Sequence, residues 1–299
     1  MPAGPAMHWL PPALICAFSL ASADAATKAW LQGFSAAELA VARLGTAGLL
    51  LTPLLAGLPP LNALPAPFWW TLAVLVPLEI LAILLYMAAI RDHPLSLTLP
   101  YLAFTPVFGM AVAWVLLGER VTAAGAAGVL LVVAGAWLLN SDQARRADWR
   151  TWMAPLRAIW RGPGSRMMLT VAVIYALTST LGKGAMRHLG PEHFGAFYSG
   201  VLGLAVILVF VVPRPALVRK LASRLPAVAA VGLLTGISAY THFLALQQVQ
   251  VAYMIAVKRT SLLFGILYGV LWFRERGLLR RLPAGGLMVA GVALIVLGD

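Results

Sequence analysis

Two stretches of this chain decide its fold when one is set above the other. Residues 86–120 read YMAAIRDHPLSLTLPYLAFTPVFGMAVAWVLLGER, and residues 242–276 read HFLALQQVQVAYMIAVKRTSLLFGILYGVLWFRER. A shift of 156 residues places Ala89 on Ala245, Phe108 on Phe264, Gly109 on Gly265 and Glu119-Arg120 on Glu275-Arg276. The same shift runs on without a gap to place Ala134-Gly135 on Ala290-Gly291. Any one match is weak; the uninterrupted series marks an internal repeat. Both copies are apolar between their Pro, Gly and charged residues, and so is the whole chain, 61% hydrophobic and 11% charged over 299 residues. A soluble domain carries about 25% charged residues. Water is therefore the wrong solvent for this chain, and it reads as an all-α polytopic membrane protein.

A span of the hydrocarbon core takes about 20 residues. Apolar runs predict ten transmembrane helices near 8–31, 36–56, 68–90, 95–117, 122–140, 167–188, 194–212, 226–246, 250–272 and 284–298, the fifth and the last being short. Leu14 to Leu20 followed by Ala21-Ser22-Ala23 imitates a cleavable signal, but Met1 to Leu10 holds no Lys or Arg, so the segment is read as the first span. A first five-helix repeat at 1–140, a basic linker at 141–166 and a second five-helix repeat at 167–299 follow. Five is odd, so the repeats are inverted with respect to each other. Such pairs place a substrate site near the midplane between the halves in many transporters.

Loop charges set the orientation. Arg91, Arg145, Arg146, Arg150, Arg157, Arg161, Arg166, Arg214, Arg219, Lys220, Arg224, Arg274, Arg276, Arg280 and Arg281 all fall in loops of one side, against Arg120 and Arg187 on the other. The crowded side is then cytoplasmic, with both termini outside. In the linker, Trp149, Trp152, Met153, Leu156 and Trp160 recur at helical spacing among Arg146, Arg150, Arg157 and Arg161. That suits an amphipathic segment at the headgroups, or a basic linker with interfacial Trp anchors. Both readings turn the net charge of +12 toward the lipid bilayer, and no nucleic-acid partner is expected. The single Cys16 excludes an intrachain disulfide and a Cys-rich metal cluster, and no cofactor or metal is expected. Monomer and homodimer both stay open.

Charges inside spans carry the functional reading, because an ionisable group in hydrocarbon is costly unless it faces a partner or a cavity. Asp24 and Lys28 lie four apart and are expected to pair. Glu38 and Lys183 sit near span ends and are expected to snorkel; Arg43 lies deeper. Glu79 falls near a midplane, with Tyr86 seven residues on along the same face, and their repeat partners are Thr235 and His242. Glu79, with Asp24, is a candidate for proton coupling, or Glu79 is a buried partner of Arg43 or Lys258. Lys258-Arg259 lies deep in the ninth span, where the pair either grips an anion from two directions or is neutralised by Glu79 and Asp24. Lys258, Ser261, Gly265 and Tyr268 share a face, with Gly265 and Gly269 expected to admit a neighbouring helix. The candidate binding set is Lys258, Arg259, Glu79, Tyr86, His242, Ser261, Arg43 and Tyr101. Lys28, Arg43, Lys183, Lys258 and Arg259 outnumber Asp24, Glu38 and Glu79, which favours an anionic small-molecule substrate. There is no catalytic motif: no His-Glu-x-x-His, no P-loop and no nucleophile elbow.

The helix-one segment ending in Lys28, Arg43 of helix two, PYLAFTPVFGMAVAWVLLGE at 100–119 and VKRTSLLFGILYGVLWFRE at 257–275 resemble the drug/metabolite transporter superfamily. With the small-residue helices GVLLVVAGAWLL and GLMVAGVALIVL, the resemblance is to its bacterial EamA family of ten-helix permeases. Leu20 to Ser22 stand where the family's helix one usually carries Trp-Gly. The resemblance implies a permease of the bacterial inner (plasma) membrane that works by alternating access. Lys258-Arg259 is similar to the pair with which plastid phosphate translocators hold phosphate, which implies a phosphorylated or carboxylated metabolite, moved by exchange or with protons. The alternatives are an exporter of amino acids or other neutral or cationic metabolites, and a flippase for a lipid-linked phosphate. The family usually keeps its termini inside; the loop charges here put them outside.

Overall fold

A computed structural model of the chain describes residues 8–93, 99–140, 162–272 and 278–298. Among these residues the regular secondary structure is all helical, with ten principal helices. They are α1 (Leu10–Trp30), α2 (36–50), α3 (Ala66–Asp92), α4 (99–117), α5 (Ala123–Asn140), α6 (Pro163–Ala185), α7 (Pro191–Val211), α8 (Leu225–Gln248), α9 (251–271) and α10 (Leu278–Gly298). A short helix, Ala216–Ala222, joins α7 to α8. Six of the ten are long and apolar enough to cross a bilayer by length and composition, and three more are apolar but shorter. The amphipathic linker expected at 149–160 and Glu275-Arg276 lie outside the described residues.

Local chemistry shifts several ends from where hydropathy put them. The second span stops at Leu50, not at residue 56. Pro53 cannot donate a helical bond and its ring crowds the preceding turn, so the chain continues as the 3-10 turn Thr52–Leu55. The tenth helix begins at Leu278, not at 284, because hydropathy marks only the portion that meets hydrocarbon while the helix carries on past it, through Pro283. Ser35 starts α2 with a reciprocal capping box: its Oγ accepts from the Glu38 N–H at 3.3 Å, and its own N–H donates to Glu38 Oε2 at 2.6 Å. Gly118 ends α4 in the left-handed region at φ 70, with Gly118 N–H bonding Trp114 O and Glu119 N–H bonding Ala113 O.

Interruptions mark several of the helices that line the centre of the molecule. In α2, Val41–Gly45 winds as a π segment around Arg43, a local loosening frequent at functional sites. In α9, expected to be continuous, Val251–Lys258 and Ser261–Leu271 are separate helices joined at Arg259-Thr260. Thr260 donates its hydroxyl to Val257 O at 2.7 Å, and Thr260, Leu262 and Leu263 N–H groups bond three residues back instead of four. The equivalent helix of the other repeat has the same break: α4 is 3-10 over Leu99–Phe104 and α-helical from Thr105, whose hydroxyl donates to Leu102 O at 2.6 Å.

The repeats interlock about a pseudo-two-fold axis. Helix α1 packs on α8 and α9, while its counterpart α6 packs on α3 and α4. At the α5–α10 crossing, a Cβ on Gly128 would fall 2.7 Å from Gly291 O, and one on Gly135 would fall 2.6 Å from Ala284 O. The 156-residue shift pairs Gly128 with Ala284 and Gly135 with Gly291, so the two contacts are the same contact exchanged, as a two-fold interface requires. Glycine there lets backbones touch, the way membrane helices associate where no hydrophobic effect separates protein from lipid. Gly265, expected to play that part in α9, does not: a Cβ there meets nothing within 4 Å, because it faces a cavity. Gly291→Val is expected to lower stability by about 1–3 kcal/mol through overpacking, read as a fall in melting temperature in detergent, whereas Gly265→Ala leaves it unchanged or slightly higher.

Candidate functional site

A cavity of about 700 Å³ lies between the repeats. It reaches the surface beside Gln32 and Gly33, in the turn between α1 and α2. Lys220, from the connection between α7 and α8, bonds Gly33 O at 3.0 Å and Glu38 Oε2 at 2.6 Å, so both connections share this face. Seven of the eight residues singled out for binding, Lys258, Arg259, Glu79, Tyr86, His242, Ser261 and Arg43, line this one cavity, as does Asp24. Tyr101 does not. The 3-10 turn that opens α4 carries it away from the cavity, fully buried and edge-on to Trp137 at 5.8 Å between ring centroids.

The charges sort into engaged and unengaged. Arg43, 3% exposed in the π segment of α2, donates Nη1 to Asp24 Oδ1 at 2.6 Å. Asp24 was expected to pair with Lys28 one turn along its own helix; the partner comes instead from α2, whose π segment carries the buried guanidinium to α1. Glu38 was expected to snorkel but is held by Ser35 and Lys220. Lys183 was likewise expected to reach out to the interface. It is instead tied to Glu119 Oε1 at 2.5 Å and to Val249 O at 2.6 Å, on the face opposite the cavity mouth.

Lys258 and Arg259 differ from these. Among the described residues neither has a carboxylate within ion-pair distance. Arg259 is 7% exposed, and its Nε, like Nδ1 of the 6% exposed His242, is buried with no hydrogen-bond partner. Buried polar atoms are satisfied in the great majority of cases, so two orphans beside one cavity call for an explanation. Glu79 lines the same cavity and feels the Lys258 charge, but the two are not within ion-pair distance. Pro77, two residues before Glu79, removes one helical bond and loosens α3 at this depth. The broken α9 places Lys258 and Arg259 at the end of one half-helix and Ser261 at the start of the next, the discontinuous geometry that transporters use at midplane sites.

Sequence reading passed over Tyr175, Thr178 and Ser179 of α6, and Tyr198 and Ser199 of α7, all of which line the cavity. The signal was present: Tyr175, Thr178 and Ser179 are spaced by three and four within an apolar helix, so they form one polar stripe. Apolar side chains such as Ile83, Leu202, Ala239 and Ile266 complete the walls. Among the described residues no three His, Cys, Asp or Glu side chains gather as metal ligands.

A cavity lined by buried charges between two inverted five-helix repeats is the arrangement found in many membrane carriers. The chain belongs to the EamA-like transporter family, whose model matches residues 8–141 and 162–297. It is thus a multi-pass membrane protein of a family that moves small solutes and does not catalyse reactions. A solved structure titled only "Crystal structure of protein" is 19% identical with a TM-score of 0.72, covering 98% of this chain and 96% of its own, and shows the same fold. No protein of curated function matches the chain.

The engaged and unengaged charges should respond differently to mutation. Asp24→Asn strands the buried Arg43 and is expected to cost about 2 kcal/mol of stability, between the values for exposed and for fully buried pairs because the cavity gives Asp24 access to water. Lys258→Met removes a cation with no ion-pair partner among the described residues and is expected to be neutral or stabilising. Thermal unfolding of the three proteins in one detergent compares them directly.

Proposed function

We propose that the chain is a secondary transporter for a small anionic metabolite, phosphorylated or carboxylated, and that Lys258 and Arg259 hold its anionic group. The observation that carries this reading is the contrast within the protein: Arg43 and Lys183 each have a carboxylate, while Lys258 and Arg259 have none within ion-pair distance among the described residues. A ligand anion supplies the missing charge. Arg259 offers a planar fork suited to two oxygens at once, and Lys258 a compact charge about 100° further round the helix. Ser261, Tyr86 and His242 contribute polar contacts around it, and Arg43, neutralised by Asp24, shapes the wall.

Glu79 lines the same cavity as Lys258 and feels its charge. An anion on Lys258 draws that charge away from Glu79 and favours its protonation, so proton and anion can travel together; Asp24 is the second candidate for this coupling. The carboxyl also supports the second reading, an exporter of amino acids or other neutral or cationic metabolites, in which Glu79 receives the ammonium group. In this proposal the two repeats, 1–140 and 167–299, alternate around the site. The basic-loop face is cytoplasmic with both termini outside, in a bacterial inner membrane. The partners are the substrate and the bilayer, without nucleic acid, for a monomer or a homodimer.

Ligand-induced stabilisation tests the reading, because a ligand that binds only the folded state raises apparent stability. The panel comprises sugar phosphates, nucleotide sugars, carboxylates, neutral amino acids and cationic drugs, with wild type beside Lys258→Ala and Arg259→Lys. A phosphate or carboxylate should stabilise wild type, lose at least tenfold in affinity with Lys258→Ala, equivalent to about 1.4 kcal/mol, and weaken with Arg259→Lys. An amino acid or cation that stabilises wild type and Lys258→Ala alike overturns the anion site and favours the second reading.

A further inference from the structure

The cavity opens toward the face of the α1–α2 turn and is sealed from the other by two layers. The inner layer is apolar and aromatic. Phe194 stacks on Tyr198 and meets Phe243 and Phe68 edge-on, at 5.7, 4.9 and 6.3 Å between centroids. Phe68, Phe194, Leu246 and Val251 are completely buried. The outer layer is polar and ties three connections together. Glu119, just past the end of α4, receives Lys183 Nζ from the end of α6 at 2.5 Å and the Val251 N–H that starts α9 at 2.8 Å. Lys183 also donates to Val249 O at 2.6 Å, in the turn between α8 and α9. One carboxylate and one ammonium thus join the first repeat to the second across the face opposite the mouth.

We infer that Glu119 and Lys183 are the gate of this face: their pair, closed on the α8–α9 turn, holds the cavity shut there, and its release opens it. The inference rests on the alternating-access reading of the site and adds the residues that control one side of it. Three features support it. First, the segment clasped by Glu119 is the half-helix Val251–Lys258, which ends at the break and carries Lys258 itself. At 1.5 Å per residue it is a lever about 12 Å long, with the gate at one end, the proposed anion site at the other, and the Arg259-Thr260 joint as its pivot. Second, Glu119 is aimed by the left-handed Gly118, so the α4–α5 turn holds it where α9 begins. Third, the two side chains are 19% and 15% exposed. A partly hydrated pair contributes modestly to stability, so it can break within the few kcal/mol that separate the two states of an alternating machine. Glu119 and Lys183 are positioning residues: neither lines the cavity.

Sided labelling tests this on the full-length protein. Ala239, small and in the cavity wall, is replaced by Cys in a Cys16→Ser background, which leaves one accessible thiol. A membrane-impermeant maleimide is then applied from each face, to cells and to inverted vesicles. The parent should label from the α1–α2 face at least tenfold faster than from the other. Glu119→Gln and Lys183→Gln should each raise labelling from the opposite face severalfold, and Lys183→Arg should restore the parent pattern. Labelling that stays one-sided in both Gln variants, with the near-face rate intact as proof of folding, overturns the gate. Ligand binding is scored separately on the panel above: loss of the anion site would leave the labelling result standing, and a failed gate would leave the ligand result standing.

Discussion

A charge in the hydrocarbon core has to be matched by another charge or opened to water, and most of this structure follows from how the chain meets that requirement. Arg43 is matched by Asp24 across the α1–α2 contact, and Lys183 by Glu119 across the end of α6. Among the described residues Lys258 and Arg259 are not matched by a carboxylate, and they stand where the helices leave a cavity. Lining that cavity obliges the neighbouring helices to present Tyr86, Tyr175, Thr178 and Ser199 inward, in spans otherwise made of Leu, Val and Ala.

The interlocking of the repeats makes such a cavity sustainable. Each repeat packs its first helix on the third helix of the other, and α5 and α10 close together at backbone distance through Gly128, Gly135 and Gly291. The two-fold relation is then broken by chemistry. At the shared helix interruption, the first repeat carries Leu102 and Ala103 where the second carries Lys258 and Arg259. One fold element occurs twice, and only one copy is charged. The cationic pair at that interruption therefore comes from the second repeat alone, across the cavity from Asp24, Arg43, Glu79 and Tyr86 of the first.

The membership of the cavity was largely legible beforehand because intramembrane polarity is a local property. Glu79, Tyr86, His242, Arg43, Lys258, Arg259 and Ser261 each announce themselves by being polar in an apolar span, and the repeat register paired Glu79 with Thr235 and Tyr86 with His242. Tyr101 was included on the same logic and lies elsewhere, since a Tyr hydroxyl can also be satisfied inside a helix bundle. Tyr175 and Ser199 were passed over although the same signal marks them. Who pairs with whom was not legible. Asp24 has Lys28 one turn away in sequence and takes Arg43 instead, and Lys183 takes Glu119 rather than the interface.

The sequence by itself determined the solvent, the number of spans, the inverted duplication and the identity of the costly charges, because each depends on composition, periodicity or spacing along one segment. Only the tertiary structure decided which charges neutralise each other, which face of the cavity is open and where α9 breaks. Those outcomes depend on distances between helices far apart in the chain. A π segment at Arg43, a proline at residue 53 and a hydroxyl at Thr260 set where helices loosen, stop or break, and these local features combine with inter-helix distances to fix each side chain's surroundings.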